Sequence, residues 1–205
     1  RKIERSAVPT VADLRARRLE LTREPLRETI LGGGLESFRV AVESLSLTLN
    51  AGEVFAFLGP NGAGKTTTLK LTTGLLRPDS GSIHVCGYSM QTDGQSARQL
   101  LAYVPDMPFL YEKLTGREFI TFTQQMYGVP GAIAKARLAE LRQRLQLDGY
   151  LDQLAETYSH GTKQKVALAA ALIHDPTLLI VDEPMVGLDP RTTRVIKGIF
   201  RETAS

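Results

Sequence analysis

The chain has 205 residues, 42% of them hydrophobic and 23% charged, with 25 Lys and Arg against 22 Asp and Glu and a formal net charge of +3. This is the make-up of a soluble globular protein holding one large domain or two small ones, and it excludes a wholly disordered chain and a long multidomain machine. The basic residues are scattered and the net charge is modest, so nucleic acid is not an expected partner despite a sequence pI of about 9.1.

Cys86, the only cysteine, has no second thiol for an internal disulfide or a paired metal site, which fits a reducing compartment. The longest apolar run, Val166 to Ile173, falls well short of the roughly 20 residues of a membrane helix, and no early apolar stretch resembles a signal peptide. Work at a membrane therefore requires a membrane part supplied by a partner. The first residue is Arg1 and no stop signal follows Arg201, so both ends are expected to be cut.

In chain order, residues 1–34 are Arg-rich, broken by Pro9 and Pro25 and closed by Gly32-Gly33-Gly34, which predicts an irregular lead-in. The alternation of Val40, Val42, Leu45, Leu47 and Leu49 predicts a strand over 38–49 that ends at Asn50-Ala51-Gly52. A continuous apolar run over 54–58 predicts a second strand, covered on both faces. The glycine-rich segment after it leads into a predicted helix over 65–76 and a turn at Arg77-Pro78-Asp79-Ser80-Gly81. Short strands follow at 82–85 and 101–104, then helices over 116–127 and 132–147, the latter with Leu138, Leu141 and Leu145 on one face. An alanine-rich helix over 162–174 ends at Asp175-Pro176 before a strand over 178–181. Strands alternating with helices predict an α/β fold with a parallel sheet, interrupted by a helical insert.

Two segments carry chemistry. Gly59-Pro60-Asn61-Gly62-Ala63-Gly64-Lys65-Thr66 matches the phosphate-binding pattern G-x-x-x-x-G-K-[ST] without a gap. Its glycines let backbone N–H groups converge on phosphate oxygens, and the helix starting there points its positive dipole end at the same anion. Lys65 is placed to bridge the β- and γ-phosphates of a nucleotide and the Thr66 hydroxyl to take a position around Mg²⁺. The second segment, Leu178 to Glu183, is an apolar strand that delivers two carboxylates at its C-terminal end, where ligands of open α/β sheets lie. Asp182 suits the metal and Glu183 the orientation of an attacking water. His84, His160 and His174 have no metal-ligand spacing.

With Gly59 to Thr67, Tyr158 to Lys165, and Asp182-Glu183-Pro184 followed by Gly187-Leu188-Asp189-Pro190, the chain resembles an ATP-binding cassette (ABC) transporter ATPase from about Phe38 onward. The resemblance implies a P-loop NTPase (RecA-like) fold, with a mostly parallel sheet core, an N-terminal antiparallel β subdomain and a helical subdomain at about 106–160. The cassette would span 35–205. Tyr158, Ser159, His160, Gly161 and Thr162 occupy the place of the family's Leu-Ser-Gly-Gly-Gln signature, keeping Ser159 and Gly161, with His160 and Thr162 where Gly and Gln are usual. In the family that segment is offered to the γ-phosphate held by a second cassette, and Asp189 lies in the loop beyond the metal strand.

The resemblance further implies that Gly59, Asn61, Gly62, Ala63, Gly64, Lys65, Thr66 and Thr67 hold ATP, and that Phe38 stacks on adenine unless it is a plain core residue. Glu183 and Lys65 would serve hydrolysis. Thr66, Asp182 and Asp106 would face Mg²⁺. Asp106 stands where relatives carry a Gln; it is shorter and charged, which leaves its usual role open, and it could equally open a turn before Pro108. The family's switch histidine, on a later strand, is expected to lie beyond this chain, which makes the piece a truncated cassette.

The partners implied are a separate transmembrane permease and a second cassette, identical or different, at the inner face of the cell membrane. The run Pro108 to Glu118 resembles bacterial cassettes that serve export-type permeases. Two alternatives remain: a nucleotide-sensing subunit without turnover, and a ribosome- or nucleic-acid-associated ABC ATPase.

Overall fold

The structure, a computed structural model, describes residues 19–21, 26–29, 38–42, 44–185 and 188–203. The chain forms two compact units, Arg1–Ala97 and Arg98–Ser205.

In the first unit, β1 (Leu19–Leu21) pairs antiparallel with β4 (Leu47–Leu49) on one side and β5 (Ile83–Val85) on the other. β5 turns back into β6 (Tyr88–Ser89), giving the order β4-β1-β5-β6. Val85 faces Tyr88 across a two-residue turn in which Cys86 (φ 51°) and Gly87 (φ 82°) are both left-handed, the geometry that follows the right-handed twist of a hairpin. A second antiparallel pair joins β2 (Leu26–Thr29) to β3 (Phe38–Val42), with a register shift between Leu26 and Arg27. Helix α1 (Lys65–Thr72) packs on β3 and β5. Its threonines bury hydroxyls at little cost because Thr68 Oγ1 donates to Gly64 O and Thr72 Oγ1 to Thr68 O, each at 2.9 Å.

Three expectations are corrected here. Of the stretch 1–34, which reads as irregular, 19–21 and 26–29 form β1 and β2, and the rest lies outside the described residues. The single strand over 38–49 divides, because β3 pairs with β2 whereas β4 pairs with β1, and the chain steps between two ladders at 44–46. Residues 54–58 form no strand: no described segment takes their N–H and C=O groups into a ladder, and Val54 and Leu58 stand exposed.

In the second unit, β7 (Leu101–Val104) and β8 (Leu178–Val181) pair in parallel, Leu101 opposite Leu178 and Val104 opposite Val181. Between them run α3 (Gly116–Met126), α4 (Gly131–Arg144) and α5 (His160–Leu172), and α6 (Pro190–Thr203) follows β8. The short helix α2 (Gly94–Gln99) precedes β7. Helix α5 lies against β7, and its Val166, Leu168, Ala169 and Ala170 are buried with Leu145, Leu147, Ile173, Ile196 and Ile199. Each large side chain sealed there contributes about 1.5–3 kcal/mol. Helix α3 starts with a full capping box: Thr115 Oγ1 accepts from Glu118 N, and the Glu118 carboxylate accepts from Thr115 N at 2.8 Å. The Thr115 N–H and then its hydroxyl, both within bonding distance of the carboxylate, hold the Glu118 carboxyl below its usual range.

His174, after α5, ties three segments together. Its ring stacks on Tyr127 at 3.7 Å between centroids, and Nε2 lies 3.2 Å from the Leu101 carbonyl, which fixes that nitrogen as the donor of the neutral ring. Nδ1 is buried with no partner. Burial pushes the ring's pKa down from its ordinary value, and the Arg137 guanidinium adds to this while the Leu101 carbonyl and Asp175 oppose it. The native state therefore binds this proton less readily than the unfolded chain. The stability His174 contributes is complete above the unfolded value of about 6.5 and is lost as pH falls below it. Urea titrations between pH 8 and pH 5 are expected to show that loss, and His174→Gln should flatten the profile over this window.

Candidate functional site

The glycine loop lies in the first unit. Gly62 (φ 81°) and Gly64 (φ 83°) are both left-handed, and Gly64 is the N-cap of α1. Having no side chain, Gly64 leaves the N–H groups of the first turn without a cap. Those amides, from Lys65 to Thr67, also have no acceptor within the helix. An uncapped, dipole-aligned set of donors is what an anion needs. Lys65 folds its Nζ back over the loop, donating to Gly59 O at 2.7 Å and Pro60 O at 2.9 Å. The Ala63 N–H closes the turn on Pro60 O at 3.3 Å. Asn61, Ala63 and Thr66 are exposed and Thr67 is half-buried, so the rim faces outward. Phe38 sits on β3 opposite Thr29, and its side chain lies outside the described residues.

The carboxylates lie in the second unit. Because β7 and β8 are parallel and in register, the residues that follow them leave the sheet at the same edge. The Asp182 N–H extends the ladder to Val104 O at 2.9 Å. Asp182 is 5% exposed, whereas Glu183 beside it is open to solvent and adopts φ 46°, a left-handed conformation that ends the strand. The adjacent carboxyls thus stand in different surroundings. Tyr103 senses both strand ends: burial first, then the charges of Asp182 and Asp106, push its phenol up.

A divalent cation fits the residues present. Mg²⁺ is held by one or two carboxylates with phosphate and water supplying the other ligands, and Asp182 and Asp106 form no ion pair with Lys or Arg among the described residues. No group of three or more acidic, His or Cys ligands forms among the described residues, so the protein alone does not make a closed metal cage.

Ser159 is the N-cap of α5: its Oγ accepts from Thr162 N at 3.2 Å and lies 3.0 Å from Thr162 Oγ1. The Thr162 side chain is buried and turned to Ser159, whereas His160 is exposed on the first turn. Asp189 caps α6, accepting from Thr192 N at 3.0 Å and Thr192 Oγ1 at 2.5 Å.

The first unit thus carries the glycine loop with Lys65 and Thr66, and the second carries Asp106, Asp182, Glu183, Asp189 and the Ser159 turn. Two features escaped sequence reasoning. Tyr103 has no motif of its own. Gln164 is 2% exposed with both amide atoms unpaired, and its place on α5 gave no sign of burial.

A model of the ABC transporter family matches residues 42–186. The linearmycin resistance ATP-binding protein LnrL of Bacillus subtilis (strain 168) is 42% identical over 154 residues, covering 75% of this chain and 50% of that protein. The Nod factor export ATP-binding protein I of Burkholderia orbicola (strain AU 1054) is 37% identical over 158 residues, covering 77% and 52%. The chain spans about half the length of these relatives. The solved ATP-binding subunit of an ABC transporter superposes with a TM-score of 0.80 at 33% identity, over 91% of this chain and 74% of that one. An ATP-binding cassette solved as a dimer in a post-hydrolysis state with ADP and Pi gives 0.78 at 21% identity, over 91% and 84%, a likeness of fold.

The two left-handed glycines differ in a way that can be measured. A Cβ on Gly64 would lie 2.7 Å from Ala41 O and 2.8 Å from Val42 Cγ2, whereas one on Gly62 meets nothing within 4 Å. Gly62→Ala is expected to cost about 1 kcal/mol for backbone conformation alone. Gly64→Ala should cost roughly 2–4 kcal/mol because β3 backbone must also give way. Urea denaturation of the two variants tests the ranking.

Proposed function

Because the chain belongs to the ABC transporter family, we propose that it is part of an ATP-binding and ATP-hydrolysing subunit that powers a separate membrane permease, in the direction of export. The observation that carries the nucleotide reading is the uncapped start of α1 behind left-handed Gly64, with Lys65 held over the loop. Export draws on relatives named for linearmycin resistance and Nod factor export. No helix of the described residues is long and apolar enough to cross a membrane. The place of action on this reading is the inner face of the cell membrane.

In the proposed reaction the N–H groups of Gly62 to Thr67 bind the phosphates and Lys65 exchanges its two carbonyl contacts for β- and γ-phosphate oxygens. Thr66 and Asp182, with Asp106, would hold Mg²⁺. When bound, the metal supplies compensation for the charge that develops on the transferred phosphoryl group. Glu183 orients the attacking water and accepts its proton. Ser159, His160 and Gly161 meet the γ-phosphate bound to a second cassette, identical or different. Thr162 acts on this segment through Ser159, since its own side chain is turned inward.

Asp106 favours one second reading, a nucleotide-sensing subunit without turnover. It adds negative charge to the edge that carries Asp182, and Tyr103 registers both.

Lys65→Ala is expected to lower ATP turnover about a hundredfold or more and to weaken ATP binding, measured by steady-state hydrolysis and direct titration. Unchanged affinity and rate would refute the nucleotide site. Glu183→Gln should lower turnover by about 10²–10⁴ and accumulate an ATP-bound dimer on size-exclusion chromatography. Equal, negligible rates with and without Glu183→Gln would favour the sensor.

A further inference from the structure

The residue just before the Ser159 turn makes contacts that none of the assigned roles uses. Tyr158 is 7% exposed, and its ring belongs to the core of the second unit. Its hydroxyl accepts from Gly116 N at 3.0 Å, the first amide of α3, and has two carbonyls in reach as acceptors, Tyr150 O at 2.5 Å and Gln153 O at 2.9 Å. A single phenol oxygen therefore joins the start of α3, the loop at 150–153 and the entry to α5. Gly116 has the room this requires: a Cβ there would lie 2.6 Å from the Tyr158 oxygen.

Around this point the two segments are laced together. Thr115 bridges Leu154, Ala155 N donates to Leu114 O at 2.9 Å, Glu156 N to Glu112 O at 3.2 Å, and Arg117 N to Leu151 O at 2.9 Å. Lys113 pairs with Glu156 and Arg117 with Asp152. These ion pairs are exposed and weak; the buried hydroxyl is the contact with no solvent to replace it.

We infer that the Tyr158 hydroxyl is a positioning group that fixes the Ser159 turn relative to α3, and so sets how the turn meets the nucleotide of a second cassette. The inference rests on the proposed ATPase reading for its functional consequence, but the positional claim stands on the hydrogen bonds alone. Tyr158 does not touch nucleotide in this role; it acts through Ser159, one residue on. Its loss acts on assembly and turnover while leaving nucleotide capture by the glycine loop intact.

The test uses the full chain with Tyr158→Phe, which keeps the ring, and Gly116→Ala, which drives a methyl group against the hydroxyl. Hydrogen exchange is expected to quicken at Gly116 and over 160–163 in Tyr158→Phe, with α1 unchanged; unchanged exchange at those amides overturns the proposal whatever the kinetics show. Turnover should fall about tenfold with KM for ATP within about twofold. A fall confined to thermal stability, or a shared loss of kcat and ATP affinity, also overturns it. Gly116→Ala should slow turnover in the Tyr158 background and add little in the Tyr158→Phe background, and additive effects would count against the hydroxyl. Wild-type turnover no greater than that of Lys65→Ala would instead refute the ATPase reading, leaving exchange to decide the positional claim.

Discussion

The second unit depends on one pairing, the parallel register of β7 and β8. Parallel strands cannot be joined by a tight turn; the chain must cross over and return to run in the same direction. Everything from Pro105 to Thr177 is that crossover, so α3, α4 and α5 are the connection itself. Asp106 sits where the crossover leaves the sheet, Ser159 sits inside it, and Asp182 sits where the returning strand ends. The small side chains of α5 make this connection close. Ala169 and Ala170 let the helix approach β7, and the core is completed by Leu145, Leu147, Ile173 and Ile196 from the surrounding segments. A functional edge thus arises from strand direction before any side chain is chosen.

The glycine loop solves a different problem. A helix start offers unpaired N–H groups, and most proteins satisfy them with a Ser, Thr, Asp or Asn side chain, as Thr115, Ser159 and Asp189 do here. Gly64 leaves the start of α1 open, and its left-handed backbone admits the close approach of Ala41 O. The structure accepts a poorer helix start in exchange for vacant donors. Lys65 rests its ammonium on Gly59 O and Pro60 O, contacts that phosphate oxygens would replace on the proposed reading.

Most of the helices and the 101–104 and 178–181 strands were legible in the sequence, because 3.6-residue periodicity, Gly and Pro punctuation and an apolar strand ending in Asp-Glu are local signals. The chemistry of Gly59 to Thr66 was legible for the same reason: it is contiguous. What stayed hidden was pairing. Nothing local in 38–49 says that its two halves join different ladders, nothing in Arg-rich 1–34 announces β1 and β2, and the apolar run 54–58 reads as a strand although no described segment pairs with it. The Tyr158 hydroxyl was hidden likewise, since its partners, Gly116, Tyr150 and Gln153, are backbone groups that a sequence pattern does not mark.

The distribution of charge separates the carboxylates by what completes them. Six acidic groups of the second unit meet basic ones, Glu156 with Lys113, Asp152 with Arg117, Asp175 with Arg137, Asp148 with Arg142, Glu140 and Glu202 with Arg144, while Glu118 and Asp189 serve in helix caps. Asp106, Asp182 and Glu183 form no such pair among the described residues, and Asp182 is almost fully buried. A buried carboxylate without a cation is costly, and the Tyr103 phenol is pushed up by burial first and then by the charges of Asp182 and Asp106. A positive charge that arrives from outside offsets that cost. On the proposed reading, a divalent metal carried in with a nucleotide would bring that charge only when the substrate is present. On this reading Asp106, which looks like a liability beside Asp182, makes the strand edge more dependent on metal-loaded nucleotide than a neutral Gln would.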